Sequence, residues 1–246
     1  APIPIHVVVC IDRSGSYQEW TRPVLSAMAD LLPELVAPGP GWRFDFRWIQ
    51  SNSYEPEAHI DTLELPALPA LPAPPPTLTP WPTPENPLER YEPTRELQAT
   101  RQAEIHERFA DASHRIREQY EEARRKAQAF ADRLRRLQPD VAQRSDIWGC
   151  FVKAAELFRS RPASAPACLV GSDLEEAGMQ QKDSLPLPGV HVRVVFWKAR
   201  EARRAQRLQD MWTRKLQEAG AADVRFADPS QGLDLLRQEL MDSLQR

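Results

Sequence analysis

Cysteine is scarce: Cys10, Cys150 and Cys168 are an odd number, and none forms the close pairs that zinc or redox motifs require. A dense disulfide framework is therefore excluded, and because each lies in an apolar run, the expectation is three small, buried, unpaired core residues. Charge of one sign is also lacking. A formal net charge of -3 and a pI near 6.0 give no overall attraction to nucleic acid or to an anionic membrane. No apolar stretch approaches the roughly 20 residues that span a bilayer, and the first residues lack the basic-then-apolar pattern of a signal peptide. The sequence assigns no compartment. Internal repeats, a P-loop and a Gly-x-Ser-x-Gly elbow are missing as well. The five histidines (His6, His59, His106, His114 and His191) form no metal-ligand pair and read as structural or solvated.

What is present is an alternation of strand and helix signals. Ile5 to Ile11 is a nearly continuous β-branched run, as in a strand buried on both faces of a parallel sheet. A helical spacing follows from Trp20 to Val36 and stops at Pro38-Gly39-Pro40-Gly41. Phe44 to Ile49 and Ala58 to Leu65 read as strands, the second at a sheet edge. After an intervening segment the rhythm resumes. Ser145 to Phe158 is predicted as helix, Ala167 to Gly171 and Val190 to Phe196 as strands, and Ala199 to Ala219 as helix. A short strand at Asp223 to Phe226 and a helix from Leu233 to Leu244 close the series. The expected fold is α/β, with a doubly wound, mostly parallel, Rossmann-like sheet covered on both faces. Residues 1–65 form its first part and 141–246 its second.

The intervening residues 66–140 read as an insertion. Twelve of the 24 prolines fall between Pro56 and Pro93, too dense for sheet or helix. Residues 66–93 are the proline-rich segment, and Leu65 to Pro76 is expected as polyproline II, with Leu65, Leu68 and Leu71 on one face. From 94 to 138 a long helix is predicted. Its apolar seam runs through Ile105, Phe109, Ala112, Ile116, Tyr120, Ala123, Ala127, Phe130, Leu134 and Leu137. At about 1.5 Å per residue it would extend about 65 Å. Two readings stay open. Leu65, Leu68, Leu71 and Trp81 fold back onto Ile105, Phe109, Ile116, Tyr120 and Phe130, or a free linker leaves Ile105, Phe109, Ile116 and Tyr120 to bind another chain as a coiled coil. The basic clusters along this and the later helix interleave with acids and read as solvated faces.

Ligands of open parallel sheets lie beyond the carboxyl ends of the strands. There the first strand delivers Asp12-Arg13-Ser14-Gly15-Ser16, the strand ending at Gly171 delivers Ser172-Asp173, and Ser145 precedes a helix. Hard divalent cations take oxygen donors, and a turn with Asp, Ser and Ser at alternate positions presents three of them. Gly15 is expected to let that turn bend tightly. This pattern resembles the metal-ion-dependent adhesion site of von Willebrand factor A domains. The resemblance covers residues 5–65 and 141–246 and departs from the family at Ser145, where Thr is commoner, and at Leu174, where Gly often follows the last Asp. It implies that Ser14, Ser16 and Ser145 hold Mg²⁺ (or Mn²⁺ or Ca²⁺) directly, while Asp12 and Asp173 act through water. It further implies a non-enzymatic module whose protein partner supplies an acidic residue. Two alternatives stand beside it. One is a metal-free scaffold in which Asp12 and Asp173 only cap helices and the long helix makes the contacts. The other, an aspartyl-phosphate enzyme, would need an acid where Ser14 stands.

Overall fold

The computed structural model describes residues 5–75, 93–163, 165–175, 186–195, 197, 201–227 and 238. Its frame is a six-stranded sheet in the order β3-β2-β1-β4-β5-β6. The strands are β1 (Ile5–Asp12), β2 (Trp42–Ile49), β3 (His59–Leu65), β4 (Pro166–Gly171), β5 (His191–Val195) and β6 (Asp223–Phe226). β3 runs antiparallel to β2 at one edge and all other neighbours are parallel, which is the expected doubly wound, mostly parallel α/β sheet. Phe196, residues 198–200 and nearly all of the predicted closing helix lie outside the described residues.

The period of two along β1 sorts its side chains between two cores. Val7, Val9 and Ile11 face α1 (Gln18–Leu31) together with Phe44, Phe46 and Leu169, whereas Val8 and Cys10 face α3 (Ile147–Ser160) and α4 (Ala202–Glu218) with Ile49, Phe151 and Trp212. Such fully buried side chains each contribute about 1.5–3 kcal/mol relative to exposure. The predicted helix to Val36 divides: α1 ends at Leu31 and a 3-10 turn covers Leu32–Leu35. Leu32 keeps helical angles, but Pro33 has no N–H to donate back to the preceding turn, so the α-helical ladder stops there.

α2 (Pro93–Arg136) is one 44-residue helix. Ala123, Ala127, Phe130, Ala131 and Leu134 are buried beside α1 and β3, and Phe130 reaches Phe46 of β2, so its C-terminal part is a covering helix of the sheet. Residues 97–119 add nothing to either core, although Ile105, Phe109 and Ile116 are half-buried. On the seam the buried position is Ser113, not Ala112, a local shift of one residue. The proline-rich strand begins docked. Leu65 and Leu68 join the same core, Leu68 exchanges backbone hydrogen bonds with Gly39, and the Tyr120 hydroxyl donates to Pro69 O at 3.0 Å. The expected three-leucine face ends there, because Leu71 is 54% exposed. Trp81 lies outside the described residues. Gly41 is required by this docking: a Cβ would stand 2.8 Å from Leu65 O.

The expectation of three unpaired cysteines is wrong. Cys10 on β1 and Cys150 on α3 form a buried disulfide across a sequence separation of 140, and only Cys168 is free. Spacing rules detect local pairs, whereas this bond needs the β1-to-α3 packing to exist first. In the chain-entropy account a loop of this size contributes about 5 kcal/mol to stability.

Candidate functional site

The chain lays down β1, β2 and β3 outward in one direction and then β4, β5 and β6 in the other, so β1 and β4 flank the reversal point. Connections diverge there and leave a crevice at the carboxyl ends. Asp12 ends β1 on the same face as Cys10. Continuing the β1–β4 register from Ile11 opposite Gly171 sets Ser172 opposite Asp12.

Asp12 is fully buried and is the hub of the site. Its Oδ1 accepts the Ser14 backbone N–H at 2.8 Å, and its Oδ2 accepts the Ser172 hydroxyl at 2.7 Å. The Ser145 hydroxyl lies 3.2 and 3.3 Å from its two oxygens. Ser14 Oγ and Ser16 Oγ are 3.2 Å apart, Ser14 buried and Ser16 exposed. Asp173 is buried next to Ser172 and accepts the Glu175 N–H at 3.1 Å. Asp12, Ser14, Ser16 and Ser145 thus form one hydrogen-bonded cluster, and Asp173 acts on it electrostatically. Burial raises the Asp12 carboxyl above its ordinary range. Hydrogen bonds from Ser172 and Ser14 oppose that shift in part, and the charge of Asp173 adds to it.

Secondary structure holds the cluster in place. The β1–α1 loop turns through Tyr17 N–H to Ser14 O at 3.1 Å, and Thr21 Oγ1 donates to Asp12 O at 2.7 Å. Ser14 forms a parallel bridge with Ala142, whose N–H donates to Arg13 O at 2.9 Å. Ser145 is delivered by the start of α3. There Asp146 caps the helix by accepting Gly149 N–H at 2.9 Å and also accepts Ser53 N–H at 3.0 Å. The expectation for Gly15 fails. Its φ is not positive, and an added Cβ would meet only Val141 Cγ1 at 3.8 Å, so the turn does not need glycine. At Leu174 the backbone does take the left-handed conformation, φ 58°, where glycine costs least. The leucine is held there by burial, by Trp212 Nε1 donating to its carbonyl at 3.1 Å, and by its own N–H on Ser172 Oγ at 3.0 Å.

Ser172 and the disulfide are the residues that sequence reasoning missed. Ser172 was detectable, since strand parity alone turns it toward Asp12. Among the described residues no three His, Cys, Asp or Glu side chains gather as a metal cluster. The rim instead combines two carboxylates with neutral hydroxyls, a set suited to hard cations. The groups that shift Asp12 are hydroxyls, an amide and a second carboxylate, with no cationic side chain among them. Two buried acids with no paired cation among the described residues are costly, and a divalent ion would supply the missing charge, so the residues fit one. A depression of about 580 Å³, lined by Gly15, Ser16, Gln18 and Glu19, opens beside the loop.

These features define an open α/β domain with an oxygen-lined rim at its topological switch point. No protein-family model matches the chain, and no curated protein matches it significantly. Its structural neighbours are von Willebrand factor A-type domains. One is a von Willebrand factor type A structure from Catenulispora acidiphila, at 11% identity and TM-score 0.44, covering 98% of this chain and 43% of that one. Another is proximal thread matrix protein 1 from the mussel byssus, at 10% identity and TM-score 0.42, covering 98% and 48%. The same mussel protein with a zinc-occupied MIDAS motif gives 10% identity and TM-score 0.36, again covering 98% and 48%. The chain spans less than half the length of these proteins. Similarity this distant carries no argument about ligand or partner. Among the described residues, no helix is long and apolar enough to cross a membrane.

Proposed function

We propose that this chain is a non-enzymatic protein-binding module whose rim holds a divalent cation, Mg²⁺ or a similar hard ion. In this reading Ser14, Ser16 and Ser145 donate oxygens directly, Asp12 and Asp173 orient bound water, and a carboxylate of the partner completes the coordination. The observation that supports it most is the buried Asp12, surrounded by hydroxyl and amide donors, with a second acid nearby and, among the described residues, no cationic side chain acting on it. Few formal negative charges face the ion, so it keeps an affinity for an external carboxylate. The depression beside Ser16 gives such a group an approach.

The test is isothermal titration with Mg²⁺ and Mn²⁺, wild type against Asp12→Ala. Saturable heat in the wild type and none in the variant supports the reading. No heat in either protein overturns it in favour of a metal-free scaffold that binds through α2.

A further inference from the structure

The Cys10–Cys150 disulfide lies inside the framework of the rim. Cys10 precedes Asp12 by two residues on the same strand and face, and Cys150 sits in the first turn of α3, five residues after Ser145. Both are fully buried, packed with Ile49, Phe151 and Val170. The remaining ties between the start of α3 and the sheet are hydrogen bonds. Asp146 N–H donates to Gln50 O at 2.8 Å, Ser53 N–H donates to Asp146 at 3.0 Å, and the Ser145 hydroxyl makes two long contacts with Asp12 at 3.2 and 3.3 Å. Two of these hold the start of α3 to the residues after β2, and two reach β1 at Asp12. The disulfide is the covalent tie between α3 and β1, the strand that carries Asp12.

We propose that the Cys10–Cys150 disulfide is the positioning element of the rim site and that the chain's cation affinity follows the redox state of this bond. The inference rests on the cation reading above. Reduction by a dithiol transfers two electrons and two protons. The S–S bond breaks, two S–H bonds form, and the reagent becomes a cyclic disulfide. Without the covalent tie, only packing and the two long Ser145 contacts hold the first turn of α3 against β1, so that turn shifts and takes Ser145 away from Asp12. Preorganised sites tolerate only about 0.5 Å of such displacement. Cys168 on β4 does not compete for the bond, because complete burial pushes its thiol far above the ordinary range and keeps it protonated.

The experiment is a Mg²⁺ titration of the full chain in three states: oxidised, reduced with a dithiol that is then removed under argon, and reoxidised. Melting temperatures are recorded on the same samples. The expected result is a fall in Mg²⁺ affinity of about tenfold or more on reduction, comparable to loss of an outer-sphere partner, with full recovery on reoxidation. The double variant Cys10→Val with Cys150→Ala fills the core without the bond and is expected to behave like the reduced protein. A melting temperature that falls while affinity stays equal in all states overturns the proposal, as does an apolar pair that binds Mg²⁺ as tightly as the oxidised chain. Unfolding of both the reduced protein and the apolar pair also overturns it, by making the bond a folding staple. Absence of heat in the oxidised protein has a different meaning: it removes the cation reading itself.

Discussion

Ser172 donates its hydroxyl hydrogen to Oδ2 of Asp12 at 2.7 Å, joining the ends of β4 and β1 across the reversal point of the sheet. Ser172 Oγ in turn accepts Leu174 N–H at 3.0 Å, so one buried hydroxyl both orients the central carboxylate and pins the loop after β4. Ser172→Ala is expected to weaken Mg²⁺ binding by about tenfold, as removal of an outer-sphere partner does. Titration calorimetry reads this directly, and unchanged affinity would deny Ser172 any orienting role.

The two parts of α2 should respond differently to truncation. Phe130 is 1% exposed and packs on Phe46 at 5.3 Å between ring centroids. Phe130→Ala should cost about 3–5 kcal/mol in urea unfolding. Phe109 is half-buried and outside both cores, and Phe109→Ala should cost less than about 1.5 kcal/mol. Equal losses would mean that the outer part of the helix is packed as firmly as the inner.

Midway along β2, away from the rim, Asp45 is buried against His6, Arg43 and Thr62. Burial alone would raise its carboxyl, but the hydrogen bonds from these three side chains and the charge of Arg43 outweigh burial and hold it well below the usual carboxylate range. With the folded value lower than the unfolded one, the unfolded chain binds the proton first as pH falls. This stabilisation is therefore complete above the ordinary value near 3.8 and is lost progressively as the pH drops below it toward the depressed folded value. Asp45→Asn should destabilise the protein at pH 7 by on the order of 3 kcal/mol. Its deficit against wild type should shrink as unfolding is followed from pH 5 to pH 2. A deficit that grows with acid would contradict the sign.

Gly149 has no room for a side chain, because a Cβ there would lie 2.0 Å from Asp146 Oδ2, the carboxylate that caps α3. Gly149→Ala must displace the cap and release Ser53 N–H as well, at a cost of about 1–2 kcal/mol in chemical denaturation. Preservation of wild-type stability would show that the capping carboxylate is dispensable.

The sheet was legible because β1 is a continuous apolar run whose physical home is between two helical layers, and because β2 alternates apolar with polar residues at the period of a strand. The rim residues were legible as residues following strands, and the structure brings Asp12, Ser14, Ser16 and Ser145 together. The disulfide was not legible, since Cys10 and Cys150 meet only through packing across 140 residues. The role of Gly15 was read from residue type alone, whereas backbone angle decides it, and the left-handed position in this rim falls on Leu174. The outer seam of α2 was read as an a/d stripe, but periodicity marks a sticky face without saying how far along it the sheet reaches.

The bridge between Ser14 and Ala142 makes the end of α2 mechanically continuous with the rim. A helix is stiff along its axis, and residues 93–119 extend about 40 Å beyond the part packed on α1 and β3. A load applied at that distance acts as a torque about the packed part, and the short segment from Leu137 to Ala142 delivers it to the loop that bears Ser14 and Ser16. The domain thus has a built-in arm, long relative to the sheet it serves, whose packed end leads within a few residues to the loop that bears Ser14 and Ser16.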